Sequence, residues 1–329
     1  MPVSRRCFAA GLSCAALACG RDDEPGEGGE PGWAALGGLE EVAPELWPAF
    51  VDPVGFAPLP PAREGEWRRV RPEPPQSVAE FRASRPNLRR APREKLVLLP
   101  RGRFPWEVIA GAEFVGLIRS PPLTDIAAML AAFFAGPVEV LPAEGLAEEV
   151  APRRVVRGHS QYDARGLLAA FAPRLPVDAY GLLALVNVDL FVAPEQQYSF
   201  GWSTLQERLA VVSFARFDPS FFGGPAPDDL AGTLLRRSLR VAVHEVGHLF
   251  GLAHCQAFRC VMNGVAHLDE LDALPLHLCP VCLRKLHVVT QLDPRRRDAE
   301  LLAVFERLGL AEEARWVRER RRRLWGVRG

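Results

Sequence analysis

Three histidines in one short run could bind a metal ion, because the residues follow the pattern H-E-x-x-H-x-x-G-x-x-H. His244 and His248 are four residues apart, so on a helix they project from the same face towards one ion. Gly251 allows a sharp departure from the helix that brings His254 round as a third ligand. Three neutral imidazoles leave a fourth position open, as a catalytic zinc requires, and the Glu245 carboxylate beside them could act on a water there. The alternative, a core helix with two buried histidines, would explain neither Glu245 nor the third histidine.

A second candidate metal site follows immediately along the chain. Four cysteines are spaced C-x4-C-x18-C-x2-C, and they are Cys255, Cys260, Cys279 and Cys282. Four thiolates close the shell of a zinc ion and exclude water, which is typical of a structural site. The alternative is a pair of disulfides, which would suit an exported protein. Because Cys255 adjoins His254, a structural ion here would brace the backbone that carries the third histidine.

In these features the sequence resembles the archaemetzincins, a branch of the metzincin zinc peptidases. Met262 lies two residues after Cys260, at the place of the family's Met-turn methionine. The similarity covers about residues 95–290, and it includes Arg157–Ala164, Asn187–Val192, Leu209–Arg216 and Leu278–Leu286. The spacing from Met262 to Cys279 and the segment Val70–Phe81 look more like the animal-type members than the short prokaryotic ones.

The resemblance implies an α/β (α+β) fold, with a metzincin-like mixed sheet, a long active-site helix, a Met-turn and a C-terminal zinc-stabilised subdomain. It also implies a zinc-dependent, aminopeptidase-like enzyme that acts on peptides and contains two zinc ions, one catalytic and one structural. Glu245 would then be the general base, and Met262 would form the apolar base under the histidines. A plain core methionine would pack in nearly the same way. The alternative function is a non-catalytic, zinc-containing module that binds peptides, although such a module has no need of the Glu245 carboxylate.

The net charge of the chain indicates which kinds of binding partner can be excluded. The chain has 329 residues with a formal net charge of zero, which argues against a general binder of nucleic acid or anionic membranes. Five arginines between Arg318 and Arg323 are therefore expected to form a solvated helix face or a dimer edge.

The N-terminus has the pattern of an export signal over residues 1–19. Arg5 and Arg6 precede an apolar run that is too short to span a bilayer, as in a twin-arginine signal. Ala16–Cys19 resembles a lipobox, so Cys19 could carry a lipid that attaches the protein to a bacterial cell envelope. The twin-arginine route carries folded proteins, which would let the thiols bind zinc before they could oxidise. The alternative is a disordered leader on a cytoplasmic protein.

The remaining chain divides into a flexible tether (20–32), an irregular extension (33–92), the metallopeptidase domain (93–290) and a helical hairpin (291–329). Tyr198 and His267 could approach the cleft but are expected to be structural, and His159, His277 and His287 have no ligand-type spacing. An edge strand that could pair with substrate is expected near Gln197–Thr204. Periodicity predicts strands at Lys95–Pro100, Pro137–Leu141, Gly181–Val192 and Leu209–Phe214 and helices at Ser77–Ala83, Thr124–Phe134, Asp163–Leu175, Leu234–Phe250, Ala299–Leu308 and Glu312–Leu324.

Overall fold

A computed structural model describes residues 31–102, 104 and 120–327. The predicted signal segment 1–19, with Arg5, Arg6 and Cys19, lies outside the described residues, as does most of the predicted tether. Within the described part of the chain, no helix is both long and apolar enough to span a bilayer.

Eight strands in the described residues form two sheets. The larger is a mixed sheet, in which four neighbouring strands run parallel and the last edge strand is antiparallel to its neighbour. The strands are β1 (Lys95–Arg101), β2 (Val138–Val140), β3 (Arg153–Val156), β4 (His159–Asp163), β5 (Ala179–Val186), β6 (Asp189–Phe191), β7 (Gly201–Thr204) and β8 (Leu209–Ser213). The larger sheet has the order β2-β1-β5-β8-β7, and the smaller has the order β3-β4-β6. The predicted strand Gly181–Val192 is therefore two strands, β5 and β6, which belong to different sheets.

Eleven α-helices are present in the described residues, and most of the long ones were predicted to within a few residues. They are α1 (Pro31–Ala34), α2 (Pro48–Val51), α3 (Trp67–Val70), α4 (Val78–Ala83), α5 (Leu123–Phe134), α6 (Ala164–Phe171), α7 (Leu230–Leu249), α8 (Leu268–Asp272), α9 (Pro280–Thr290), α10 (Pro294–Arg307) and α11 (Ala311–Trp325). Short 3-10 helices occupy Pro44–Leu46, Glu148–Val150, Ala172–Arg174, Ala215–Phe217 and Pro219–Phe222.

Both faces of the larger sheet are buried, as is usual for parallel strands. Alternate residues of β1 point to opposite sides, so that Leu98 joins one apolar core and Val97 joins another. Helices α5 and α7 pack on the first side, and α6 packs on the second. This arrangement fixes α7, the helix with two of the histidines, against the sheet along most of its length.

Helix α7 begins at Leu230, four residues earlier than predicted, where the Asp229 side chain accepts a hydrogen bond from the backbone N–H of Gly232. It ends at Leu249, after which Gly251 adopts a φ of +85°. This left-handed conformation favours glycine, and it reverses the chain directly after the second histidine, as the sequence predicted.

The extension 33–92 is not separate from the core. Phe50 and Phe81 are fully buried in the same apolar cluster as α7. Helix α4 begins with a capping box, in which Ser77 and Glu80 exchange hydrogen bonds with each other's backbone N–H groups. The extension is thereby packed against the elements that carry the site.

The expectation for the C-terminal arginines is wrong at one position. Arg320 is buried, where its guanidinium pairs with Asp298 and Asp52 and donates to the carbonyl oxygen of Ala49. Arg322 on the same helix is exposed. Helix α11 therefore has one buried ionic contact within a largely solvated face, which composition alone does not reveal.

Candidate active site

The three histidines of the predicted motif converge on one point. His244 and His248 lie one turn apart on α7, and their Nε2 atoms are 3.0 Å from each other. The turn at Gly251 brings His254 to the same place, so that one nitrogen of each ring lies within 4.8 Å of the others. A tetrahedral zinc ion with bonds of about 2.0–2.1 Å would separate its ligand nitrogens by about 3.3 Å. The donor set therefore fits zinc, with a fourth position left open.

Each of these rings has its second nitrogen held by an oxygen acceptor. Nδ1 of His244 lies 2.9 Å from the carbonyl oxygen of Val261, and Nδ1 of His248 lies 2.6 Å from that of Leu252. Nδ1 of His254 instead lies 2.6 Å from a carboxylate oxygen of Glu73. Because these oxygens accept hydrogen bonds, they favour the tautomer with the proton on Nδ1, and Nε2 is the nitrogen left to bind a metal.

The environment of the site favours neutral imidazoles. Burial, followed by the neighbouring His248 and His254, lowers the pKa of His244 well below its ordinary value. Burial also lowers the pKa of His248 to about 3. Neutral rings are the form that binds a metal, so the site is prepared for a cation at neutral pH.

Glu245 lies beside the histidines and under the edge of the larger sheet. Its side chain is buried, and burial raises the pKa of the carboxyl group to about 8, against the opposing effect of a hydrogen bond from Ser203. Ser203 belongs to β7, the edge strand, which occupies part of the predicted segment Gln197–Thr204. A divalent cation at the histidines would favour the ionised carboxylate, which is the form able to accept a proton.

These groups open into one cleft of about 600 Å³. The lining includes Gly201, Trp202 and Ser203 of the edge strand, together with Val265 and Leu274. The extension also contributes to the lining, through Trp67, Arg71, Glu73 and Pro74. The volume and the mixed apolar and polar lining are typical of a site for a small organic ligand or a short peptide.

The four cysteines form a second cluster, as predicted. Cys255, Cys260, Cys279 and Cys282 are buried free thiols whose sulfur atoms lie within 4.8 Å of one another. The sulfur atoms of Cys255 and Cys279 are 3.6 Å apart, whereas a disulfide would need about 2.05 Å. Tetrahedral zinc with Zn–S bonds of about 2.3 Å would place its sulfurs about 3.8 Å apart. The geometry therefore favours a metal site over the alternative of two disulfides.

The thiol cluster also needs a cation on electrostatic grounds. Hydrogen bonds from the other three thiols lower the pKa of Cys255, whereas burial raises the pKa of Cys279. Four thiolates this close together in a buried site would repel one another. A bound divalent cation would offset the charge of the full set, as in structural zinc sites.

One loop connects the two clusters. The Asn263 side chain accepts from the backbone N–H of Cys260 and donates to the carbonyl oxygens of Cys255 and Phe258. The backbone N–H of Cys255 donates to the carbonyl oxygen of Met262 over 2.8 Å. Since Val261 of this loop is the acceptor for His244, the loop orients one histidine while its ends hold two cysteines.

Met262 lies where the resemblance places the Met-turn. It is fully buried under the histidine-bearing helix and packs against Gly247. Tyr198 and His267 are not among the residues that line the cleft. Tyr198 donates to the carbonyl oxygen of Ala266, and the His267 ring accepts from the backbone N–H of Glu270, so both make structural contacts as expected.

The sequence did not point to Glu73 or Trp67, although both reach the site. The Trp67 ring packs edge-on against the His254 ring, with centroids 5.0 Å apart. Glu73 is 181 residues from His254, in a proline-rich stretch without periodicity. The resemblance of Val70–Phe81 to animal-type relatives was the one signal for this region, and it assigned no role to either residue.

Comparison with known proteins gives a consistent result. Residues 180–288 match the model of peptidase family M54. The chain is similar to archaemetzincin-2 of Macaca fascicularis, with 33% identity over 148 residues, covering 38% of this chain and 41% of that protein. It is 27% identical to archaemetzincin-2 of Mus musculus over 257 residues, covering 70% of this chain and 69% of that protein.

The chain thus spans about two fifths of the macaque relative that it matches. Among solved structures, archaemetzincin from Methanopyrus kandleri is 29% identical with a TM-score of 0.45, covering 60% of this chain and 96% of that one. The family model over residues 180–288 and the matched relatives agree in one respect: the chain is similar to the archaemetzincins, peptidase family M54.

Proposed function

We propose that this chain is a zinc-dependent peptidase that hydrolyses short peptides, with a preference for a free N-terminus. The observation that carries the proposal is the position of Glu245 in the same cleft as the three-histidine cluster, a cleft large enough for a peptide. Zinc, when bound, supplies Lewis acidity that activates water and polarises a carbonyl group. The aminopeptidase preference rests on the family resemblance.

The roles of the chain's own residues follow from their positions. His244, His248 and His254 would hold the ion through Nε2, with their Nδ1 atoms kept in place by oxygen acceptors. Glu245 would accept a proton from the attacking water and transfer it to the leaving amine. Strand β7 has no partner strand on its outer side within the described residues, so its backbone could pair with an extended substrate.

The structural proposal for the second cluster is that Cys255, Cys260, Cys279 and Cys282 hold a zinc ion that stabilises the loop beneath the active site. Two zinc ions per chain are therefore expected. Metal analysis of the purified protein, together with titration of free thiols, checks this number. Disulfide-bonded cysteines would overturn the structural half of the proposal.

The catalytic proposal is tested with Glu245→Ala, using Glu195→Ala as a control, since Glu195 is exposed and does not line the cleft. Hydrolysis should be measured over a library of fluorogenic peptides with free or acetylated N-termini. We expect Glu245→Ala to keep both zinc ions and to lose hydrolysis, while Glu195→Ala matches the wild type. Absence of hydrolysis by zinc-loaded wild type across the library would favour the peptide-binding module instead. Equal rates of hydrolysis for peptides with free and with acetylated N-termini would contradict the proposed aminopeptidase preference.

We also propose that the chain is exported in folded form by the twin-arginine route and attached to the membrane through Cys19. The four buried free thiols support this order, because they need zinc before they meet an oxidising compartment. In a bacterium with that pathway, Arg5→Lys with Arg6→Lys should leave the precursor in the cytoplasm, and Cys19→Ala should release the protein from the membrane fraction. A wild-type protein found only in the cytoplasm would show that the leader is not an export signal.

A further inference from the structure

A segment of the N-terminal extension passes over the active site. We call residues Trp67–Gln76 the strap. Trp67, Arg71, Glu73 and Pro74 of the strap line the cleft, although they precede the histidines by more than 160 residues in the sequence. The strap is therefore either a permanent part of the active site or a segment that blocks it.

The strap is fixed near its start. The backbone N–H of Trp67 lies 3.1 Å from both carboxylate oxygens of Glu270, which follows the Met-turn loop. The indole ring also packs on Gly264, where a β-carbon would lie only 2.3 Å from Cδ1 of the ring. The absence of a side chain at Gly264 therefore makes room for Trp67.

The strap is fixed again at its end, close to the third histidine. The Gln76 side chain donates to the carbonyl oxygen of Gly251 and accepts from the backbone N–H of Ala253. Lys285, which is buried on α9, donates to the backbone and side-chain oxygens of Gln76. These contacts join the strap to the turn that carries His254.

Between these two anchors, Glu73 reaches the His254 ring. Its Oε2 atom lies 2.6 Å from Nδ1 of His254, and the Glu73 side chain is 35% exposed. Glu73 therefore presents a carboxyl oxygen as the acceptor for Nδ1 of the ring.

The Glu73 carboxylate does not occupy the position expected for the metal ion. Glu73 binds Nδ1, the nitrogen of His254 on the side of the ring away from Nε2. The Nε2 atoms of His244 and His248 lie 3.0 Å from each other. A blocking carboxylate would instead have to lie among the Nε2 atoms.

We propose that Glu73 is a positioning residue for the third zinc ligand, and that the strap is a permanent part of the metal centre. The proposal rests on the zinc site of the proposed function. His244 and His248 are held by backbone carbonyls, which no substitution removes, whereas His254 is held by a side chain. The third ligand is thus the one whose orientation and proton depend on a residue outside the motif.

The effect should appear in metal affinity. Loss of such an outer carboxylate typically weakens metal binding by about 10–100-fold. Because Glu73 is 35% exposed and water can partly replace it, we expect a value near the lower end, about tenfold for Glu73→Ala. Glu73→Gln retains an oxygen acceptor and should lose less. Glu64→Ala is the matched control, since Glu64 is an exposed carboxylate of the same extension.

The experiment measures the zinc dissociation constant of each full-length variant by competition with a chromophoric chelator. Cobalt substitution distinguishes the two sites, because only the cysteine site gives thiolate-to-metal charge-transfer bands. We expect weaker binding at the histidine site in Glu73→Ala, a smaller loss in Glu73→Gln, and no change at the cysteine site or in Glu64→Ala. If Glu73→Ala does not fold, the zinc dissociation constant of Glu73→Gln is compared with that of the wild type instead.

Two results would overturn the proposal. One is a zinc affinity of Glu73→Ala within twofold of the wild type, and the other is a faster hydrolysis by Glu73→Ala at equal zinc content, as release of a block would give. The binding measurement needs no peptide. If the wild-type protein binds zinc but hydrolyses no peptide, the proposed function is contradicted. The positioning role of Glu73 in zinc binding is then still tested by the binding measurement.

Discussion

A β-carbon at Gly247 would lie 2.4 Å from the sulfur atom of Met262. The helix that carries His244 and His248 therefore touches the turn beneath it at a position where no side chain fits. The contact lies next to the loop whose Val261 carbonyl oxygen accepts a hydrogen bond from His244. The glycine within the histidine motif is thus required by packing as well as by its place in the pattern.

Gly247→Ala should consequently destabilise the protein and disturb the histidine site. Overpacking of a buried contact typically costs about 1–3 kcal/mol, since the neighbouring groups must move. The free energy of unfolding, measured by denaturant titration, should fall by that amount, and zinc occupancy of the histidine site should decrease. Gly145→Ala is the control, because a β-carbon there has open space around it. Equal stability of the two variants would show that Met262 yields without cost.

Gly201→Ala should act on the reaction more than on metal binding. A β-carbon at Gly201 would lie 2.6 Å from Oε1 of Glu245, so the carboxylate would have to shift. Misplacement of a reacting group by about 1 Å can reduce the rate about 100-fold. We expect kcat to fall by about 10–100-fold with unchanged zinc content. Retention of full kcat would mean that the position of Glu245 against β7 is unimportant for hydrolysis.

Asn263→Ala should weaken both metal clusters at once. The substitution leaves the buried N–H of Cys260 and the carbonyl oxygens of Cys255 and Phe258 without their partner. Each unsatisfied buried group costs about 1–3 kcal/mol, so a total near 3 kcal/mol is expected after partial relaxation. Chelator titration should show earlier loss of zinc from both sites. Loss from the histidine site alone would contradict the coupling through this loop.

Arg320→Ala should be strongly destabilising, although its neighbours in the arginine run tolerate change. Removal of the guanidinium leaves the buried Asp298 with Arg297 as its remaining ion-pair partner, at 3.6 Å. Breaking a buried ion pair typically costs about 3–5 kcal/mol, and we expect a value near the lower end because Arg297 is retained. Arg322→Ala, on the exposed side of α11, should change stability by less than about 0.5 kcal/mol. Thermal unfolding of the two variants compares them directly.

The metal clusters could be predicted because their residues are close together in the sequence. His244, His248 and His254 are placed by one helix and one turn, and the cysteine pairs follow within the same stretch. Local spacing and the periodicity of the long helix were therefore sufficient. The end of α7 was found in the same way, whereas the edge strand near the cleft was placed from the architecture that the family resemblance implies.

Other features depend on contacts that local patterns do not encode. Glu73 and His254 are 181 residues apart, and the pairing of Arg320 with Asp52 joins opposite ends of the described chain. The apolar run Gly181–Val192 reads as one strand, because periodicity does not show that β5 and β6 enter different sheets. Such relationships arise from the packing of distant segments and become visible only in three dimensions.

The contact between Gln76 and Lys285 has a consequence for the order of events during synthesis. Residue 76 leaves the ribosome early, but its partner on α9 is made more than 200 residues later. A growing chain therefore carries the strap long before the groups that hold it exist. The segment that brings the carboxylate partner to the third histidine is therefore fully anchored only after synthesis has passed Lys285, so the metal centre is assembled from parts made far apart in time.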